Sequence, residues 1–241
     1  RYIFYNFTNY DDWKIFPYRV IPPSEQPFKF AQANHNLDLK IDFNGELIDA
    51  DTYFEKNKTL AFLIIRNDSL LFEKYYNGHD AHTWSSSFSM AKSFLSMMIG
   101  RAIEEGYIES INDPITKYLP YLKEKAGFEK VSLDHLLRQT SGIRFREEYY
   151  SPFSDVAKFY YGPDLIAAVK DLEIANEPGK IFQYHSGNTQ LLGLALREAL
   201  HGKELTQFFY DRFWVKLKNE DSLSWSTDDD NKIEKTYCCV N

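Results

Sequence analysis

A mixed α/β (α+β) fold is what this 241-residue sequence predicts: an antiparallel sheet begun by one hairpin, a long apolar helix to lie on it, and a mostly helical block downstream. Three observations carry that expectation. In TLAFLIIRNDSLLFEKYYNG, two apolar, β-branched or aromatic runs flank the polar turn Asn67-Asp68-Ser69. From SSSFSMAKSFLSMM, residues 85–98, a segment begins in which Ala91, Leu95, Met98 and Ala102 share one face at helical spacing. Beyond residue 110 the apolar period is helical, punctuated by capping and stopping residues.

Residues 1–50 mix aromatics with VIPPSEQP and hold neither a helical nor a strand period for long, so they read as an arm wrapped over a body. Two strands alone are marginal in water, and the hairpin that follows needs more sheet or a helix beside it. The helix over 89–103 meets that need. Phe94, Met97, Ile99 and Ile103 make its flanks apolar as well, which predicts burial nearly all round, with the preceding serines capping its first amides. Short helices follow in INDPITKYLPYL and VSLDHLLRQTSGI, with Ser132 as N-cap and Gly142 as a stop. Further helices are expected over 163–174, over 186–200 ended by Gly202, and over 205–217, with a turn at Glu177-Pro178-Gly179-Lys180.

At 44% hydrophobic and 26% charged residues the composition is that of an ordinary globular protein. Its net charge of −7 and the absence of a Lys/Arg cluster argue against nucleic acid as partner and for a small or neutral substrate. No stretch of about 18 apolar residues is present, so no transmembrane segment is expected in this chain. Cys238 and Cys239 are adjacent, a spacing that suits a disulfide poorly, and are expected to be buried reduced thiols. With no HxxxH, HExxH or second CxxC nearby, no metal site and no structural zinc are expected. The N-x-S/T tripeptides at Asn6, Asn57 and Asn67 match a glycosylation acceptor only formally.

One residue stands out chemically. Lys92 is the only charged side chain between His82 and Arg101, and it sits one turn into the apolar helix. Ser89 and Lys92 are spaced i, i+3, so on a helix they can meet. A serine hydroxyl is a weak nucleophile until a neighbour accepts its proton, and a lysine can do so only while neutral. Apolar neighbours at Phe88, Met90, Phe94 and Leu95, with the positive end of the helix dipole, are the surroundings that disfavour an ammonium. The alternative is a capping serine beside a lysine that reaches for solvent.

These residues resemble the serine β-lactamase and penicillin-binding-protein superfamily, in particular the class C β-lactamase-like branch with its esterases and 6-aminohexanoate-dimer hydrolases. The similarity runs from about Leu60 onward through AFLIIRNDSLLFEKYYNG, FSMAKSF, EEGYIESINDPITKYLPYL, LLRQTSGI and EPGKIFQYHSGNTQLLGLAL, in the family's order. It implies a two-part β-lactamase-like fold in which an antiparallel sheet flanked by helices meets a mostly helical domain, with the site between the two parts. The implied domains are an arm at 1–50, the hairpin and nucleophile helix at 51–109, a helical domain at 110–220, and a return to the α/β domain at 221–241 with the remainder of the sheet absent.

The resemblance also implies Ser89, Lys92 and Tyr184 as catalytic residues, Tyr184 opening the second motif Tyr184-His185-Ser186 and sharing a proton with Lys92. Ser186 and Asn188 are the implied substrate-binding positions, with a structural cap just inside the following helix as the other reading of Asn188. The implied function is that of a serine hydrolase on a small-molecule amide, ester or β-lactam, without cofactor, through an acyl-enzyme; the alternative is a sensor-like module acylated without turnover. A bacterial envelope or periplasmic location is implied, with the cytoplasm as the alternative. Two departures are visible: Ser186 stands where class C enzymes have Asn, and Gln139 where relatives often have His. The third motif, Lys or His followed by a small residue and Gly, is expected beyond residue 241. His185-Ser186-Gly187 has its letters but abuts Tyr184 at a helix start.

Overall fold

The structure, a computed structural model, describes residues 5, 7–33, 37–229 and 232–241. Asn6 and parts of the expected arm lie outside them. The chain forms two compact units, one of Ser24–Trp84 with Lys218–Asp221, the other of the described residues up to Pro23 with Ser85–Leu217 and Ser222–Asn241. In chain order, β1 (Tyr18–Ile21) belongs to the larger unit. The smaller unit then supplies β2 (Ala31–Gln32), β3 (Lys40–Phe43), β4 (Glu46–Asp49), α1 (Ala50–Lys56), β5 (Ala61–Arg66) and β6 (Ser69–Tyr75).

In the smaller unit β6 is the centre of a three-stranded sheet, antiparallel to β5 and parallel to β2. The expected hairpin is present, and its turn residues Asn67 and Asp68 both have left-handed φ, 50° and 55°. That is the two-residue turn whose twist matches the strands it joins, and Asn and Asp tolerate it. Asp49 caps α1 by accepting from Thr52 N at 3.0 Å, and Ala50, Phe54 and Tyr76 form this unit's small core.

The larger unit continues with α2 (Ala91–Glu104), α3 (Ile115–Tyr118), α4 (Leu133–Leu137), β7 (Ile143–Arg144), α5 (Asp155–Tyr161), α6 (Leu165–Lys170), β8 (Glu173–Ile174) and α7 (Ser186–Ala199). It closes with α8 (Leu205–Phe209), a π turn, α9 (Val215–Leu217) and β9 (Leu223–Ser226), which pairs antiparallel with β1. Ser132 caps α4 as expected, in a reciprocal box with His135. The left-handed residue that ends α4 is Gln139 (φ 59°), not Gly142, whose φ of 74° serves a separate turn against Asn176. The helix expected over 163–174 is confined to α6, capped by Asp164, and α5, capped by Ser154, was not foreseen.

Burial nearly all round belongs to α7 rather than α2. On α2 the stripe Ala91, Leu95, Met98, Ile99 and Ala102 is buried, while Ser93, Ser96 and Met97 are exposed. On α7 every residue from Ser186 to Leu196 is buried. Small and polar residues allow this because their partners are close and hydrogen-bonded: Gln190 donates to Glu234 O and accepts from Thr236 N, both at 3.1 Å, and Thr236 Oγ1 donates to Thr189 O at 3.0 Å. The segment after β9 therefore lies along α7, with Lys235 fully buried and donating to Phe159 O and Tyr160 O. Cys238 and Cys239 are joined by a disulfide, which corrects the expectation of two reduced thiols; the left-handed backbone of Cys239 (φ 71°) lies at this turn. Among the described residues no helix is long and apolar enough to cross a membrane, and no group of three or more His, Cys, Asp or Glu is arranged for a metal ion.

Candidate active site

The site lies within the larger unit, where the chain enters α2. Ser86 N donates to Tyr10 O and Ser87 N to Val240 O (3.0 and 2.8 Å), which fixes the approach. Phe88 then adopts a left-handed φ of 46°, uncommon for a bulky residue, and Phe88–Met90 form a tight 3-10 turn that runs into α2. The result is an exposed Ser89 at the head of the helix. No serine side chain caps this helix start, and Ser87 Oγ is buried without a hydrogen-bond partner among the described residues.

Lys92 Nζ lies 3.0 Å from Ser89 Oγ, as the i, i+3 spacing predicts, and donates to Tyr237 O at 2.8 Å. Its surroundings differ from the expected apolar wall. Met90 is 66% exposed and Phe88 is also exposed; the amine instead faces the Tyr184 ring at 5.1 Å and the Tyr237 ring at 5.9 Å. A carbonyl and two aromatic faces orient the amine.

Tyr184 OH donates to Ser89 Oγ at 2.8 Å. Ser89 Oγ is therefore the shared partner of Lys92 and Tyr184, two groups 3 and 95 residues away in sequence. Tyr184 and Lys92 meet through that hydroxyl and the ring face, not through a phenol-to-amine hydrogen bond.

His185, next in the chain, caps α7: its Nδ1 accepts from Asn188 N at 3.3 Å, which puts the ring proton on Nε2. The ring is 1% exposed and stacks on Phe145, with centroids 4.9 Å apart. Burial first, and the Lys92 charge second, push its pKa down to about 4, so the cap is neutral at pH 7.

Of the two residues expected to bind substrate, Ser186 is at the edge of a cavity and Asn188 is not. Ser186 gives both its N–H (2.9 Å) and its hydroxyl (2.6 Å) to Glu147. Asn188 is wholly buried; its amide donates to Gln139 Oε1 at 2.8 Å and its carbonyl oxygen accepts from Ser141 Oγ at 2.5 Å. With both ends occupied it braces the start of α7, the structural one of the two roles read for it. Gln139 now has a reason: Oε1 also accepts from His185 N at 3.1 Å, tying the end of α4 to the Tyr184 segment.

Three contributors had no signal in the sequence. Tyr237 acts through a backbone carbonyl, which any residue type can present. Glu147 and Tyr149 lie in an irregular stretch, where Tyr149 OH donates to Glu147 at 2.7 Å. Tyr149 and Tyr150 line a cavity of about 640 Å³ together with Ser89, Ser186, Phe88 and Tyr237. Chemically, the arrangement offers an exposed hydroxyl within hydrogen-bond reach of an amine and a phenol, opening onto an aromatic chamber.

A family model described as Beta-lactamase matches residues 50–234. Among curated proteins, Protein flp of Staphylococcus aureus (strain MW2) is 27% identical over 166 residues, 65% of this chain and 32% of that protein. The 6-aminohexanoate-dimer hydrolase of Paenarthrobacter ureafaciens is 26% identical over 182 residues, 71% of this chain and 45% of that protein. The chain thus spans less than half the length of these curated relatives. Among solved structures, a proposed 6-aminohexanoate-dimer hydrolase from Bacillus anthracis superposes with a TM-score of 0.85 at 21% identity, covering 97% of this chain and 64% of that one, a likeness of fold.

Proposed function

Since the chain belongs to the beta-lactamase family, we propose that it is a serine hydrolase acting on amide or ester bonds through an acyl-enzyme, with Ser89 as nucleophile and Lys92 and Tyr184 handling its proton. The observation that carries this is Ser89 Oγ within hydrogen-bond reach of both groups, 3.0 Å from Lys92 Nζ and 2.8 Å from Tyr184 OH.

Ser89 Oγ forms a bond to the substrate carbonyl carbon while its proton passes to the Lys92–Tyr184 pair. Tyr237 O takes one N–H of Lys92, so the rest of the amine is held towards Ser89. The Ser89 backbone N–H, at the head of α2, is one donor for the oxyanion that forms. The bond to the leaving nitrogen or oxygen then breaks, and the leaving atom takes the proton from the pair. Water attacks the resulting ester by the same route in reverse and frees the acid and Ser89. Ser186, held by Glu147, lines the chamber beside this centre, and Asn188 holds the start of α7 in place.

The test is to incubate the full chain separately with a chromogenic cephalosporin, a p-nitrophenyl ester and a linear aminohexanoate amide. Steady product release from one of them, abolished in Ser89→Ala, supports the hydrolase. One stoichiometric burst without turnover supports a sensor-like module instead, and no Ser89-dependent release from any of the three overturns the proposal.

A further inference from the structure

The chamber beside Ser89 has a composition that selects among substrates. Its walls include Phe7, Phe88, Tyr149, Tyr150, Tyr160 and Tyr161, and no Asp, Glu, Lys, Arg or His lines it among the described residues. Polar and charged groups that bond to its lining residues are already engaged. Lys92 is held by Ser89 and the Tyr237 carbonyl. Glu147 accepts from Ser186 N, Ser186 Oγ and Tyr149 OH. The hydroxyl of Tyr160 is given to Asp12 at 2.9 Å.

Which half of a substrate enters follows from the same geometry. Ser89 lines the chamber, while Lys92 and Tyr184 do not. The leaving atom has to meet the proton-handling pair, so the half that turns into the chamber is the acyl half. A carboxylate carried there would lose water without gaining a cation, and an ammonium would lose water without an unoccupied carboxylate; either is costly. A neutral hydrocarbon or aryl group gains by burying apolar area against these aromatic walls, and about 640 Å³ is ample for one.

We infer that the site takes substrates whose acyl group is uncharged and apolar, an aliphatic chain or an aromatic ring, and discriminates against acyl groups bearing a carboxylate or an ammonium. This rests on the hydrolase proposal above. Tyr150, 86% exposed at the chamber mouth, is a specificity-determining residue in this account.

The experiment compares kcat/KM of the full chain on p-nitrophenyl esters with one leaving group and different acyl groups: hexanoate and phenylacetate (neutral), the adipate monoester (anionic) and 6-aminohexanoate (cationic). The expected result is a preference of about 100-fold or more for both neutral esters over both charged ones. In Tyr150→Arg, the disadvantage of the adipate monoester should shrink at least about tenfold while that of 6-aminohexanoate does not. Equal rates on all four esters, or a preference for either charged acyl group, overturn the inference and leave the hydrolase standing. Release no faster than in Ser89→Ala on every ester overturns the hydrolase and this inference with it.

Discussion

Replacing His185 with asparagine probes how the Tyr184 segment is anchored to α7. In the folded protein the ring is buried, stacked on Phe145 and repelled by the Lys92 charge, so its pKa falls from the usual 6.5 to about 4. The unfolded chain takes up a proton near pH 6.5, whereas the folded protein resists until about pH 4. Stability from this group is therefore complete above pH 6.5 and is lost as the pH falls towards 4. The fall from 6.5 to about 4 corresponds to about 3 kcal/mol in total, of which about 2 kcal/mol is lost between pH 7.5 and pH 5.0. For a chain of this size that is a fall in Tm of about 4–8 °C.

Asparagine keeps an oxygen to accept from Asn188 N but cannot titrate, so His185→Asn should lose about 2 kcal/mol less than the wild type over the same interval, whatever its absolute stability. The assay is urea unfolding of both proteins at pH 7.5 and 5.0. Carboxylates held low by their cation partners, such as Glu105 between Arg212 and Arg101, and Asp12, raised by burial, contribute equally to both proteins and cancel in the difference. Parallel losses in wild type and variant would refute the reasoning.

Two further outcomes follow from the geometry. Lys92→Met and Tyr184→Phe should each lower kcat/KM by about 10²–10⁴ on any ester the protein turns over, with the loss mainly in kcat; retention of more than about a tenth of the activity would exclude that residue from the proton path. Gly142→Ala should destabilise by about 3 kcal/mol or more in urea unfolding, because its φ is +74° and a Cβ would run into the Asn176 carbonyl. Gly45→Ala, at φ +85° with open space around it, should cost only about 1 kcal/mol, and similar losses at the two sites would show that the close approach is not the cause.

How much of this was visible in the letters depends on the type of interaction. The β5–β6 hairpin is legible because apolar, β-branched runs and an Asn-Asp turn are local signals, and Ser89–Lys92 because helical spacing fixes their meeting. The serine capping expected at α2 failed because the chain arrives through a left-handed Phe88, a backbone state that no residue type there announces. The all-round burial of α7 is not legible because, beside its leucines, the buried residues include Gly, Ser, Asn, Thr and Gln, which score as polar until their partners are known. Gln139 was visible as a departure, yet its function depends on two atoms 46 and 49 residues away. The Tyr237 carbonyl, the Glu147 brace and the α5 wall of the chamber are products of tertiary proximity, which the order of residues does not display.

The most direct measurement is to quench the full chain in acid during reaction with p-nitrophenyl phenylacetate and to map the modified residue by mass spectrometry. The account predicts one phenylacetyl group, on Ser89 Oγ, absent from Ser89→Ala and formed more slowly in Lys92→Met. An acyl group on another residue in the wild type, or undiminished ester turnover in Ser89→Ala, would contradict it.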